Sequence, residues 1–262
     1  MEYPNPWWLR AIFVVVAAQA LELVIVFFQP ELVRLLVPWP ATPLNARFIA
    51  SLYTALGIGV LLCAFARTVG EVRVILYGIG IATGVLLLLT LPRLGELPQF
   101  PLFWIVFYVI DPLLVVYSVW RLRGAAAIPR GSNPQTPLWI ANTVVLGLIG
   151  ALLLLLPYQA IALWPWALSE PLARIYSVFF LTLAICSWMS AHETSWAHTR
   201  LFALTLALLV ALVLAVSLYH LDRFKPNAAT PTWFALFALE TIMLAGLWIR
   251  RKAQPAVQGA PL

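Results

Sequence analysis

The sequence predicts an all-α membrane protein of about eight transmembrane helices, arranged as two tandem four-helix repeats. Three observations predict it: an apolar, charge-poor composition, eight long apolar windows, and a fixed-offset match of rare residues between the two halves. The composition is 63% hydrophobic and 10% charged, with a mean hydropathy of +0.94. A soluble domain carries about 25% charged residues and about 45–50% apolar ones. A chain of 262 residues has too small an interior to hide this much apolar surface from water, so lipid is the missing solvent.

A span of bilayer hydrocarbon takes about 17–25 residues of helix. Apolar windows of that length fall near 7–28, 47–66, 72–91, 102–120, 138–156, 174–191, 201–221 and 232–249. They are apolar on all faces and do not alternate, which selects helices over a β-barrel. Ala18-Gln19-Ala20 has the form of a signal-peptidase site. The apolar run continues to Phe28, too long for a cleaved segment, so the first window reads as a retained helix.

The 16 Lys and Arg give a net charge of +6 and a pI of 9.7. They are scattered as ones and twos between apolar runs and form no stripe, which argues against a nucleic-acid partner. Beside membrane spans they report orientation instead. With eight spans, one side carries ten of them: Arg10, Arg67, Arg73, Arg121, Arg123, Arg130, Arg200, Arg250, Arg251 and Lys252. The other six, Arg34, Arg47, Arg93, Arg174, Arg223 and Lys225, fall opposite. The richer side is expected to be cytoplasmic, with both termini on it. The longest polar connection, 124–137 with Gly124, Pro129, Gly131, Pro134 and Pro137, also falls there. It reads as a linker between a first repeat, 1–123, and a second, 138–252, followed by a tail at 253–262.

The halves match residue by residue. An offset of 127 places Pro30 on Pro157, Pro38-Trp39 on Pro165-Trp166, Ala46-Arg47 on Ala173-Arg174, and Arg73 on Arg200. After a two-residue insertion, an offset of 129 places Trp104 on Trp233, Asp111 on Glu240 and Arg121 on Arg250. Interfacial anchoring puts Trp and Arg at similar depths in any membrane protein. It does not explain two acids seven residues after two tryptophans. Four spans per unit insert both units the same way up, so the pseudo-two-fold axis runs along the membrane normal.

The unit resembles the small four-helix bacterial membrane proteins of the DoxX-like type and related uncharacterised families. The resemblance rests on an Arg opening the second helix of each unit and a small-residue stretch after it. Here those are Arg47 with Gly57-Ile58-Gly59, and Arg174 with Ala184. It implies a prokaryotic cytoplasmic membrane and a four-helix unit, and it implies no chemistry.

The candidate ligand- or proton-handling residues are the mid-span acids Asp111 and Glu240, with Glu22 and its neighbour Gln19 one turn earlier. A charge at bilayer centre costs about 2.5–3.5 kcal/mol, so these carboxyls are expected to face the bundle interior or a polar cavity. There they would handle protons or a polar ligand at the repeat interface, or bond a neighbouring helix as structural groups. The Pro-Trp loops, 30–40 and 157–166, read as outer-surface helices anchored in the interface by Trp39, Arg47, Trp166 and Arg174, or as a lid over a pocket between the repeats.

The remaining polar groups suggest no cofactor and no metal. Cys63 and Cys186 lie inside apolar segments without a Cys/His pattern. His192, Glu193 and His198 lack the i, i+4 spacing of a zinc helix, and the two histidines read as surface residues beside the membrane. No phosphate loop, nucleophile elbow or triad is present, which argues against an enzyme. Gly80 and Gly84, with Gly78 nearby, mark a helix-packing face. Two readings therefore lead: a small transporter-like protein with its site between the repeats, or a structural or accessory subunit of a larger membrane complex, holding lipid or pigment. Partners are then the bilayer, further membrane subunits or a second copy of the chain.

Overall fold

The computed structural model describes residues 3–96, 102–125, 127 and 134–250. Residues 126 and 128–133 of the linker, and all of the 253–262 tail, lie outside the described residues. Among the described residues there are eight long helices, α1 (Trp7–Leu21), α2 (Pro43–Ala64), α3 (Val69–Thr90), α4 (Leu102–Arg121), α5 (Thr136–Leu155), α6 (Glu170–Ala191), α7 (Trp196–Tyr219) and α8 (Ala229–Arg250), with short helical segments such as Val33–Leu36 and Pro157–Leu163 between them. Each belongs to a segment long and apolar enough to cross a bilayer. The only β-type pairing among the described residues is an isolated bridge between Pro4 and Thr68. The chain is a multi-pass membrane protein.

Six helices begin earlier than hydropathy predicts: α2, α3, α5, α6, α7 and α8, at 43, 69, 136, 170, 196 and 229. The first turns of α2, α3 and α7 are set by capping groups, which an apolar window does not count. The Thr42 hydroxyl accepts from the Asn45 N–H at the start of α2. Thr68 and Glu71 form a capping box on α3, and the Ser195 hydroxyl accepts from the Ala197 N–H on α7. Each satisfies an orphan N–H of a first turn. The first window also departs from a single α-helix: α1 tightens into a 3-10 segment over Glu22–Phe27.

The centre of the bundle is α2, α3, α6 and α7, with α1, α4, α5 and α8 around it. Within the halves α1 packs on α2 and α5 on α6, while α3 packs on α4 and α7 on α8. Between the halves α2 packs on α7 and α3 on α6 and α7. Burial follows this order: 72% of the α2 window and 78% of the α6 window are buried, against 22% for α5 and α8. The outer helices instead expose Val14, Val106, Leu113, Val144, Leu148 and Ile242. A contiguous apolar face of this extent needs hydrocarbon as its solvent.

Both termini of the described chain meet at one end of the bundle, here the near end. The Asn5 amide donates to the Cys63 and Ala66 carbonyls at 3.0 and 3.2 Å. Thr136 donates to the Ala191 carbonyl at 2.8 Å and Arg250 to the Pro134 carbonyl at 2.8 Å. At the far end the halves are tied by Asn45. Its amide donates to the Thr42 hydroxyl at 3.0 Å and to the Ala167 carbonyl at 3.1 Å. Its oxygen accepts from Trp166 Nε1 at 2.8 Å and the Tyr176 hydroxyl at 2.9 Å. A buried amide with every group satisfied fixes one arrangement of its neighbours.

Between those ends α2 and α7 approach most closely at Gly59, where an added Cβ would lie 2.1 Å from the Thr205 hydroxyl. Thr205 is buried and its hydroxyl is bonded to the Leu201 carbonyl, so it has little room to yield. Gly59→Ala is expected to destabilise the protein by about 1–3 kcal/mol through overpacking. Adding Thr205→Ala should recover part of that loss. Thermal unfolding of the single and double variants in one detergent checks this; equal destabilisation by both would refute the close approach.

Candidate functional site

A cavity of about 100 Å3 lies where the two halves meet. Val16 and Ala20 of α1, Gly57 of α2, Gly78 and Ala82 of α3, and Thr182 and Cys186 of α6 are among its walls. It is almost wholly apolar. The Tyr53 and Tyr108 side chains border it and also border a smaller chamber of about 60 Å3, together with Gln19, Glu22 and Trp104. The Tyr53 and Tyr108 hydroxyls are hydrogen-bonded to each other. Tyr108 is stacked on Trp104 with ring centroids 4.0 Å apart.

Asp111 is 3% exposed on α4 and faces the Gln19 side chain; its Oδ1 has no hydrogen-bond partner among the described residues. Glu240 is half-buried on α8 and faces the Asn142 amide of α5, and its Oε1 is likewise unpartnered. Each acid therefore meets an amide on the first helix of its own half. Glu240 borders a separate apolar void of about 50 Å3 with Leu146, Phe180 and Phe237. The two acids share no neighbour in these surroundings, so the structure does not bring them together at the interface. Glu22 borders the chamber but is exposed, which corrects the expectation that it faces the interior, because it lies on the outer side of the 3-10 segment that follows α1, and Gln19 is half-buried.

The four expected interfacial anchors divide. Trp39 is 3% and Trp166 1% exposed, so neither anchors the protein in the lipid interface; this corrects the sequence-based expectation. The reason is that each indole has an internal partner. Trp39 donates to the Thr90 hydroxyl at 3.2 Å and packs edge-on against Trp104, while Trp166 is bonded to Asn45 and packs edge-on against Trp233. Arg174 is partly exposed and paired with Glu170, which also binds Arg93 through two 3.1 Å bonds. Arg47 donates to the Phe27 carbonyl at 2.9 Å, lies 2.9 Å from His220 Nε2 and covers the Tyr219 ring at 5.1 Å.

At the near end His192 and His198, expected on the surface, are half-buried, and the Glu193 between them is buried. Glu193 is 0% exposed; Arg73 binds both of its carboxylate oxygens, and His198 Nδ1 lies 3.1 Å from one of them. Arg73 also donates to the Ala127 carbonyl at 2.9 Å. In the reciprocal sense, Arg200 of α7 pairs with Glu71 of α3. The sequence signals here were partial. Arg73 and Arg200 stand at matched positions, and Thr68 with Glu71 fits a capping box, but nothing about a polar 192–195 loop marks Glu193 as internal. Gly78, Gly80 and Gly84 do face neighbouring helices, at Cys186, Val115 and Pro112.

No family model, curated protein or solved structure matches the chain. The site is therefore read from its own geometry.

Burial pushes the Glu193 carboxyl up, but the bonds from His198 and Arg73 outweigh it and hold the group below the usual carboxylate range. Its contribution is thus present above the ordinary carboxylate pKa and is lost as pH falls through the lowered value. Removing one partner of a buried pair costs about 3–5 kcal/mol, whereas replacing both by apolar residues is often neutral. Glu193→Gln should lower the unfolding temperature at pH 7 and flatten its fall on acidification. Arg73→Met with Glu193→Leu should cost less than Glu193→Gln alone. A double variant worse than the single one would show that the pair does not hold the halves in this way.

Proposed function

We propose that this multi-pass membrane protein is transporter-like and takes an amphipathic molecule into a site between its two four-helix halves. The observation that carries the reading is that two unlike spaces lie side by side and share Tyr53 and Tyr108 as walls. The larger space, about 100 Å3, is apolar and lies between the halves. The smaller, about 60 Å3, is lined by Gln19, Glu22 and Trp104, with Asp111 facing Gln19 behind it. An apolar tail fits the first and a hydrogen-bonding head the second. Pockets of this kind, mainly apolar with a few convergent polar groups, are the usual form of small-molecule sites.

The two halves are proposed to be a tandem duplication, in line with the DoxX-like resemblance of each unit. Several contacts support it by recurring at the sequence offset. Thr42 and Ser169 precede α2 and α6, and Thr68 and Ser195 precede α3 and α7. Ala20 meets Gly57 in one half and Gly147 meets Ala184 in the other. Trp39 packs edge-on against Trp104 at 5.4 Å, and Trp166 against Trp233 at 4.9 Å. Thr90 accepts from an indole of the first pair and Ser217 from one of the second.

The near end is proposed to be cytoplasmic from its excess of basic residues. Reporter fusions after Arg123 and after Arg250 should both read cytoplasmic; opposite readings would mean that a span crosses differently.

The binding reading is tested by filling the cavity. Ala82→Trp places an indole in the apolar space, and Leu88→Trp places one on an exposed face of the same helix. Organic extracts of the protein purified in mild detergent should contain an amphiphile at roughly one per chain. It should be lost with Ala82→Trp and kept with Leu88→Trp. No retained molecule, or equal retention by both variants, would overturn the reading.

A further inference from the structure

The far end of the bundle holds a second and larger basin, of about 660 Å3, with Arg47, Arg223, His220, Asp222, Tyr219 and Trp166 among its walls. It opens at the level where the spans end, and its polar lining sets it apart from the cavity between the halves. It does not depend on the function proposed above.

The charge of the basin follows from one sequence difference between the halves. Arg47 and Arg174 stand at matched positions in α2 and α6. Four residues before Arg174 is Glu170, which pairs with it. Four residues before Arg47 is Pro43. No carboxylate replaces the missing one: among the described residues the partners of Arg47 are the Phe27 carbonyl, the His220 ring and the Tyr219 face, all neutral. A guanidinium is always charged, so this positive charge is left without a counter-ion.

His220 adds to the argument. Arg47 only donates, so His220 Nε2 must accept from it, and the ring proton is then carried on Nδ1. Burial and the adjacent Arg47 hold the imidazole below its usual range, Asp222 opposing and Arg223 reinforcing the effect. His220 is therefore neutral at pH 7 and supplies a donor, not a compensating charge. The one carboxylate in the lining, Asp222, is two-thirds exposed and paired with the still more exposed Arg223 at 3.0 Å. A pair so open to water is weak, and it leaves Arg223 free to turn to a stronger anion.

We propose that this basin binds a phosphate group between Arg47 and Arg223. Two guanidinium forks match the geometry and charge of phosphate oxygens. The shared chemistry fits the headgroup of an anionic phospholipid and a free phosphate ion alike. The aromatic and apolar walls, Trp166, Tyr219 and Leu44, suit the glycerol and upper acyl carbons of a lipid held there.

The test uses the full chain purified in a neutral maltoside detergent. Thermal stability and binding are measured against inorganic phosphate in one arm and phosphatidylglycerol in another, with a neutral diacylglycerol as the phosphate-free control. Stabilisation by phosphatidylglycerol alone would identify a lipid headgroup, and stabilisation by both a phosphate site open to the free ion. In either case Arg47→Gln should weaken binding by at least about tenfold, the loss of one charged hydrogen-bonded contact. Arg223→Gln, at an exposed position where folding is not at stake, should weaken it less. Arg174→Gln should leave it unchanged. No response in either arm, an equal response to diacylglycerol, or the same loss in Arg174→Gln would overturn the proposal.

Discussion

Arg73 and Glu193 are charges buried where little but each other can compensate them, and the arrangement of the two halves follows from that constraint. Desolvating an ion costs several kcal/mol even after relaxation. The guanidinium and carboxylate offset it only because both oxygens are used and His198 and the Ala127 carbonyl complete the shell. Arg73 belongs to α3, and Glu193 lies in the turn between α6 and α7. Satisfying the pair therefore sets how the first half sits on the second. Asn45 does the corresponding work at the far end with four neutral hydrogen bonds. With both ends fixed, the α2, α3, α6 and α7 core has one register, and the space left over in its middle is the cavity.

The membrane spans were legible because hydropathy measures the property that lipid selects. Their first turns were not, because Thr42, Thr68 and Ser195 define them by hydrogen bonds that carry no hydropathy signal. Burial of Asp111 and of one Glu240 oxygen was readable from the cost of placing a carboxylate in lipid. Their separation was not, since sequence matching gives equivalent places and equivalent places need not touch. Trp39 and Trp166 illustrate a further limit. Membrane proteins place indoles in the interface so often that composition favours an anchor, while a bonded hydroxyl or amide such as Thr90 or Asn45 can hold the ring inside.

Under the proposed duplication, matched positions separate what the fold needs from what one half has kept for itself. The tryptophan pairs and the small-residue contacts are alike in both halves, as a shared scaffold requires. The chamber side chains are not alike. Gln19, Tyr53 and Tyr108 stand where the second half has Leu146, Phe180 and Phe237. The first set can hydrogen-bond and the second cannot, although both surround a carboxylate. Polar chemistry is thus concentrated in one half, which is why a single amphiphile site suits this chain better than two equivalent ones. The exchange of Glu170 for Pro43 has the same character, since it leaves Arg174 beside a carboxylate, shared with Arg93, and Arg47 without one.

A carrier that admits molecules from one side must open one end of this bundle at a time, and the two ends differ in what opening breaks. At the near end, opening parts Arg73 from Glu193 and Arg200 from Glu71. Each of these acts on a charge, and a lone charge left in the protein is the costliest product of all. At the far end, opening parts the partly exposed Arg93–Glu170 pair, parts Arg47 from His220 and breaks the bonds of Asn45 to Ala167, Trp166 and Tyr176. The neutral bonds exchange with water at a net cost of about 0.5–1.5 kcal/mol each. The edge-on aromatic contacts of Phe48 with Trp164 and Trp166 add to that, but they can slide without exposing a charge. Under the proposed carrier reading the far end, whose Arg93–Glu170 pair is partly open to water, is the easier one to open, and its basin, with the unneutralised Arg47, lies beside the Asn45 tie that would part.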